Sequence, residues 1–241
     1  MPELSFSFRL SRTCLRAGAL FLLAFPPIAA FAVTAPENGQ PAIISGIGRV
    51  VDGDTLDVGQ TRVRLEGIDA PELTQTCQTA TGETWECGKA AGAMLRKLVE
   101  HKEIACDRTG NDRYHRTLAT CFVDGIDIEE AMVRAGLAWA FVKYSTTYVD
   151  IEAEARQEKI GVWQGQAQAP WDYRRNEWQV AEVAAPKGCA IKGNVSSRGR
   201  IYHMPWGTWY DKVRMDGGHG KRWFCSEEEA TAAGWRPASA N

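Results

Sequence analysis

Between residues 43 and 68 the chain strings together short, alternating, glycine-broken stretches that suit a strongly bent sheet. Residues 43–51 are rich in Ile and Val but are interrupted by Gly46 and Gly48, as a strand turning a barrel corner would be. Residues 55–58 and 61–68 flank Gly59 and Gln60, a hairpin turn. In the second arm Val63 and Leu65 alternate with Arg62, Arg64 and Glu66, so Arg64 points away from its apolar neighbours.

The same pattern recurs further on. Residues 88–100 have helical spacing, and residues 104–108 and 117–123 form a second hairpin around the polar loop TGNDRYHR. Residues 128–135 are amphipathic and stop at Gly136, and the charged stretch 151–160 stops at Gly161. A Gly, Ala and Gln linker starts at residue 164, and residues 171–183 suit a short amphipathic helix carrying Trp171, Tyr173 and Trp178. Pro186 marks a second boundary. Beyond it nine Lys or Arg face five Asp or Glu, a net charge of +4, whereas residues 33–185 carry −8. The expected division is a leader at 1–32, a lead-in at 33–42, a main domain at 43–163, a linker or short helix at 164–185 and a small module at 186–241.

The leader follows from Arg9, Arg12 and Arg16 ahead of AGALFLLAFPPIAAFA, whose small-residue ending suits signal cleavage. Export to the periplasm or beyond is expected, with no membrane span left after cleavage. Six cysteines then remain, an even number in an oxidising compartment. They allow 15 pairings; local geometry favours Cys77 with Cys87, Cys106 with Cys121, and Cys189 with Cys225. No CxxC pair exists to favour zinc.

Chemistry concentrates in VDGDT (51–55) and RLEGIDAPE (64–72), which hold Asp52, Asp54, Arg64, Asp69 and Glu72. Aspartates can neutralise a hard divalent cation, Glu72 can act on a water, and a guanidinium can grip a phosphate oxygen. The pattern points to metal-assisted phosphodiester hydrolysis. Because the main domain is acidic, it lacks the broad basic face that holds proteins on duplex DNA, and phosphate binding must come from local arginines and a metal.

With DRYHR (112–116) and VRAGLA (133–138) added in order, the chain resembles the staphylococcal nuclease family over roughly residues 43–163. The resemblance implies an α+β, mainly β fold, a five-stranded OB barrel with about three helices, which agrees with the elements read above. It also implies calcium-dependent cleavage of DNA and RNA at the 5′ P–O bond, leaving 3′-phosphate ends. Asp54, Asp69 and the Ala70 carbonyl are then the expected metal ligands, with Asp52 one step removed and Glu72 the general base. Calcium, magnesium and manganese share such oxygen ligands. Arg64 and Arg116 are the expected phosphate clamps, although His115 stands where the family often has glycine.

Arg113, Tyr114 and Tyr144 are candidate substrate contacts, and Tyr148 is expected along the same groove. Phe141, Trp139 and Leu137 are expected in the core, and Glu129 is expected to pair with a loop backbone or an arginine. The tail, from IKGN to RWFCSEEEATAAGWR, resembles a module carried by many secreted bacterial nucleases of this family. It is expected to be a small sheet stapled by Cys189 and Cys225, with a capping box at Ser226 and Glu229. Its tryptophans either bind a polymer or form its core. The expected partner is DNA or RNA, and a monomer is expected. The alternative is an OB-fold protein that binds nucleic acid or the cell envelope without catalysis.

Overall fold

The computed structural model describes residues 42–112, 114, 116–218 and 220–238. The leader at 1–32, most of the lead-in, and Arg113 and His115 lie outside the described residues. All described residues fall within one compact unit.

Strands β1 (Ile43–Val50), β2 (Thr55–Val58) and β3 (Thr61–Leu65) form an antiparallel meander, with Gly59 at φ 58° in the hairpin. The polypeptide then adds the two-residue strands β4 (Ile68–Asp69), β5 (Cys77–Gln78) and β6 (Thr84–Trp85), followed by helix α1 (Cys87–Val99). Strands β7 (Glu103–Asn111) and β8 (Thr117–Val123) make the second hairpin, longer than expected and bulged between Arg108 and Gly110. Pairing of β1 with β7 and of β3 with β8 closes five strands into a barrel.

After β9 (Ile126–Asp127), helices α2 (Ile128–Arg134) and α3 (Val149–Gln157) pack on one another, separated by β10 (Trp139–Ala140), which pairs with β4. Asp127 caps α2 by accepting the N–H of Glu130 at 2.8 Å. One apolar cluster fills the barrel, from Ile44, Leu56 and Leu65 through Leu95 and Ile104 to Met132 and Val133. The Cys106–Cys121 disulfide lies inside it, and Cys77–Cys87 ties the start of β5 to the start of α1.

Helix α4 spans Pro170–Ala184, with proline at its start. It leads into a four-stranded sheet of β11 (Ile191–Ser196), β12 (Gly199–His203), β13 (Lys221–Phe224) and β14 (Arg236–Pro237), in the order β13-β11-β12-β14. Helix α5 (Glu227–Ala232) follows β13 and packs against it. Ser226 caps α5 by accepting the N–H of Glu229, and the Glu229 carboxylate turns back to the N–H of Cys225, one residue earlier than a capping box requires. Ile191, Tyr202, Phe224, Ala230 and Trp235 form this second core, closed by Cys189–Cys225 and by Trp178 from α4. Among the described residues, no helix is long and apolar enough to cross a membrane.

Candidate active site

The turn between β1 and β2 is built by the side chain of Asp52, whose Oδ1 accepts the N–H of Asp54 at 3.2 Å. That Asx turn directs Asp54 inward, where only 7% of the residue stays exposed and Oδ2 accepts the N–H of Ala70 at 2.7 Å. The turn-forming and site-forming readings of Asp-Gly-Asp are therefore one structure. Ala70 meets Asp54 through its amide.

Strand β3 carries Arg64 to the same point. Its Nη2 lies 3.0 Å from Asp54 Oδ2 and 3.0 Å from Asp69 Oδ1, while Nη1 donates to the Leu65 carbonyl at 3.2 Å. Asp69 is fully buried at the end of β4, held by the pairing of β4 with β10. Glu72 follows in a tight loop: its carbonyl accepts the N–H of Gln75 at 2.7 Å and its N–H donates to Gln75 Oε1. Gly88 lets this loop press on α1, because a Cβ there would meet the Glu72 carbonyl at 1.7 Å.

A further cation arrives from α4. Arg174 Nη1 donates to Asp69 Oδ1 at 3.0 Å and to Glu72 Oε1 at 2.9 Å, and its Nη2 donates to Asp69 Oδ2 at 2.7 Å. Arg174 thus links Asp69 to Glu72. Burial raises the Asp54 carboxyl against the pull of Arg64, and raises Asp69 against that of Arg174. Glu72 is pushed up to about 8, by burial first, with Arg174 opposing and Asp52 adding to the rise. Burial alone would lower Arg174, yet Asp69 and Glu72 hold it well above the usual guanidinium value. Burial is thus the largest influence on all three carboxyls, and the two arginines oppose it.

Among the described residues, no group of three or more His, Cys, Asp or Glu side chains is disposed to hold a metal ion by itself. The donor set nevertheless fits a hard cation. Two buried carboxylates converge on one nitrogen of Arg64, and oxygen donors completed by water suit such an ion. Asp54 and Asp69 are the residues that could hold it.

Arg116 lies on the β7–β8 loop, where Asp112 organises the backbone by accepting the N–H of Tyr114 and of Arg116 at 2.8 and 2.9 Å. The Asp112 carboxylate also accepts Arg116 Nε at 2.6 Å, and the guanidinium sits 5.5 Å from the centre of the Tyr114 ring. Arg64, Glu72, Tyr114, Arg116 and Tyr144 all line one cleft of about 760 Å³. Its opposite wall comes from α4 and the module, through residues such as Trp171, Arg174, His203 and Trp206.

Two aromatic expectations are corrected. Tyr148, expected in the groove, is buried at 4% and donates to Asp127 Oδ2 at 3.0 Å, because α3 is packed on α2. Phe141, expected in the core, lines the cleft and stacks on Trp171 with ring centres 5.5 Å apart, because α4 reaches over the barrel. Tyr144 is 59% exposed and meets the Phe141 ring edge-on. Trp139 is buried as expected, and Glu129 accepts the N–H of Cys121 through both oxygens at 3.1 Å. Arg174 escaped the sequence reading, although a signal for it existed: Trp171, Arg174 and Trp178 recur at the three- and four-residue spacing of one helix face.

Residues 62–165 match the family model described as staphylococcal nuclease homologue, and residues 179–237 match one described as ArfC. An uncharacterized endonuclease of Escherichia coli is 35% identical over 137 residues, covering 54% of this chain and 83% of its own length. The micrococcal nuclease of Shigella flexneri is 34% identical over 145 residues, covering 53% of this chain and 78% of its own. The succinoglycan biosynthesis protein ExoI of Rhizobium meliloti (strain 1021) is 33% identical over 136 residues, 54% of this chain and 70% of its own. With the closed five-stranded barrel and the carboxylate–arginine centre at its rim, these likenesses place the chain in the staphylococcal nuclease family, as a nuclease phosphodiesterase with an extra C-terminal module.

Proposed function

We propose that this protein is an exported, calcium-dependent nuclease that hydrolyses DNA and RNA at the 5′ P–O bond and leaves 3′-phosphate ends. The observation that carries the proposal is the convergence of Asp54 and Asp69 on Arg64, with Glu72 joined to Asp69 through Arg174. A divalent cation held by Asp54, Asp69 and the Ala70 carbonyl, with Asp52 behind Asp54, would neutralise charge on the phosphate.

Glu72 accepts a proton from the attacking water as the water oxygen bonds to phosphorus. Arg64 and Arg116 hold the non-bridging oxygens, where negative charge builds up as the P–O5′ bond breaks. The 5′ oxygen leaves as a hydroxyl, taking a proton from Arg116 or from solvent. Tyr144, Tyr114 and Arg113 serve the flanking nucleotides. Residues 43–163 form the catalytic domain and residues 186–241 an accessory module, and the protein acts as a monomer once residues 1–32 are removed. Three disulfides support an oxidising compartment.

Mapping the product ends tests the proposal. A 5′-labelled oligonucleotide cut in calcium should give fragments that lose a phosphate to phosphatase at their 3′ ends. Fragments with 3′-hydroxyl ends would overturn it, as would cleavage supported by magnesium but not by calcium.

A further inference from the structure

Arg174 stands outside both matched segments, which end at residue 165 and begin at residue 179, so neither family likeness gives it a task. Its contacts are with the groups of the reaction. The guanidinium fork takes both oxygens of Asp69, at 3.0 and 2.7 Å, and one of its nitrogens also donates to Glu72 Oε1 at 2.9 Å. Asp69 Oδ1 accepts from Arg64 as well, at 3.0 Å. Both oxygens of this fully buried carboxylate are therefore taken by arginines.

A second cation cannot share those oxygens on equal terms. Hard divalent ions and guanidinium groups both bond directly to carboxylate oxygens, so they compete for the same lone pairs. Two positive charges on one carboxylate also repel, and the repulsion is poorly screened here because Asp69 is shut off from water and only 25% of the Arg174 side chain is exposed. Glu72 is engaged by the same group. Its Oε1, which accepts from Arg174, is one of the two oxygens that can take a proton from water.

The approach of Arg174 is built into the fold. Its neighbours on α4 fix the helix against the barrel: Trp171 stacks on Phe141 with ring centres 5.5 Å apart, and the Tyr173 hydroxyl lies 3.1 Å from that of Thr74, two residues beyond Glu72. Thr74 also donates to the Trp206 carbonyl at 2.8 Å, which ties in the module. The module adds a charge of opposite sign. Tyr202 donates to Glu227 at 2.7 Å, and Glu227 lies in the field of Arg116: burial raises its carboxyl, while the Tyr202 hydrogen bond and the Arg116 charge oppose the rise. The carboxylates and the phosphate clamp thus each meet a counter-charge from the C-terminal half.

We propose that Arg174 is a built-in competitor of the metal ion: it occupies Asp69 and Glu72 when no cation is bound and sets the calcium concentration at which the centre fills. This rests on the metal reading of Asp54 and Asp69, but it concerns a residue outside the barrel and is read from binding alone. The next residue of α4 supplies the contrast. Arg175 also lines the cleft, yet it pairs with Asp172 on its own helix at 2.7 Å, and 63% of its side chain is exposed, so its charge is screened.

The test is calorimetric titration of calcium chloride into the full mature chain, stripped of metal beforehand, and into its variants. Arg174→Gln should bind calcium about tenfold more tightly than the parent or better, since an arginine beside a carboxylate changes that group's affinity for a proton by about 10- to 10³-fold. Arg174→Lys keeps the charge but loses the planar fork, and should bind about threefold more tightly than the parent. Arg175→Gln should match the parent to within about twofold. Adding Asp54→Asn to Arg174→Gln should abolish the gain, which places it at this centre. Should circular dichroism show Arg174→Gln unfolded, Arg174→Lys carries the same comparison. Either Arg174 variant, when folded, binding calcium no more tightly than the parent, an equal gain in Arg175→Gln, or a gain that survives Asp54→Asn would each overturn the proposal. Calcium bound alike by the parent and Arg174→Gln would remove the competitor and leave the metal reading standing; calcium bound by neither would remove both.

Discussion

The barrel and the module meet the same cleft, yet they hold their side chains by different means. In the barrel each reactive group is fixed by backbone: Asp54 by the Asx turn and the Ala70 amide, Asp69 by the β4–β10 pair, Arg64 by the Leu65 carbonyl. Behind them lies one continuous apolar cluster. The module has a thinner core, centred on Ile191, Tyr202, Phe224 and Trp235, completed by a tryptophan lent by α4 and stapled by Cys189–Cys225. The carboxylates and Arg64 thus sit where the backbone is most constrained, while the facing wall of the cleft rides on a smaller unit that depends on its staple and on α4.

Five changes put that contrast to the test. Glu72→Gln keeps the shape of the barrel site and removes its basicity, so kcat should fall by about 10² to 10⁴-fold with an unchanged unfolding temperature; steady-state kinetics with calorimetry checks both halves. Replacing Cys189 and Cys225 with Ser opens a loop of sequence separation 36, which should destabilise the module by about 4 kcal/mol. The matching change at Cys77 and Cys87, separated by 10, should cost about 3 kcal/mol, and denaturant titration of the two variants measures the ratio.

Arg174→Ala tests the seam between the regions. It leaves Glu72 without its ion pair and Asp69 with Arg64 alone, and removing one member of a largely buried pair costs roughly 3 kcal/mol. Hydrogen exchange should show α4 opening, and an α4 as protected as in the parent would mean that the seam lies elsewhere. The smallest effect belongs to Ser226→Ala, which removes the cap of α5 and should lower stability by about 1 kcal/mol without altering kcat on a short oligonucleotide.

The barrel was legible because its signals are local. Alternation around Val63 and Leu65, the Gly59 turn and the glycine stops after residues 135 and 160 each fix an element through its own few residues. The cluster of Asp54, Arg64, Asp69 and Glu72 was legible for the same reason, since one hairpin and one loop carry all four. Arg174 was not, because its separation of 102 positions from Glu72 is bridged only by how α4 packs. Tyr148 and Phe141 exchanged their expected places for a related reason. Both follow the same helix, and only the tertiary positions of α3 and α4 decide which ring is covered.

The most direct test of the central claim, that the carboxylate–arginine centre at the barrel rim is a metal-assisted phosphodiesterase, is a cleavage assay on the purified mature chain. Calcium is supplied first and then withdrawn with excess chelator. Cutting of a single-stranded oligonucleotide in calcium, halted by the chelator and restored by fresh calcium, is the predicted result. Cutting that continues at full rate in the chelator would contradict it.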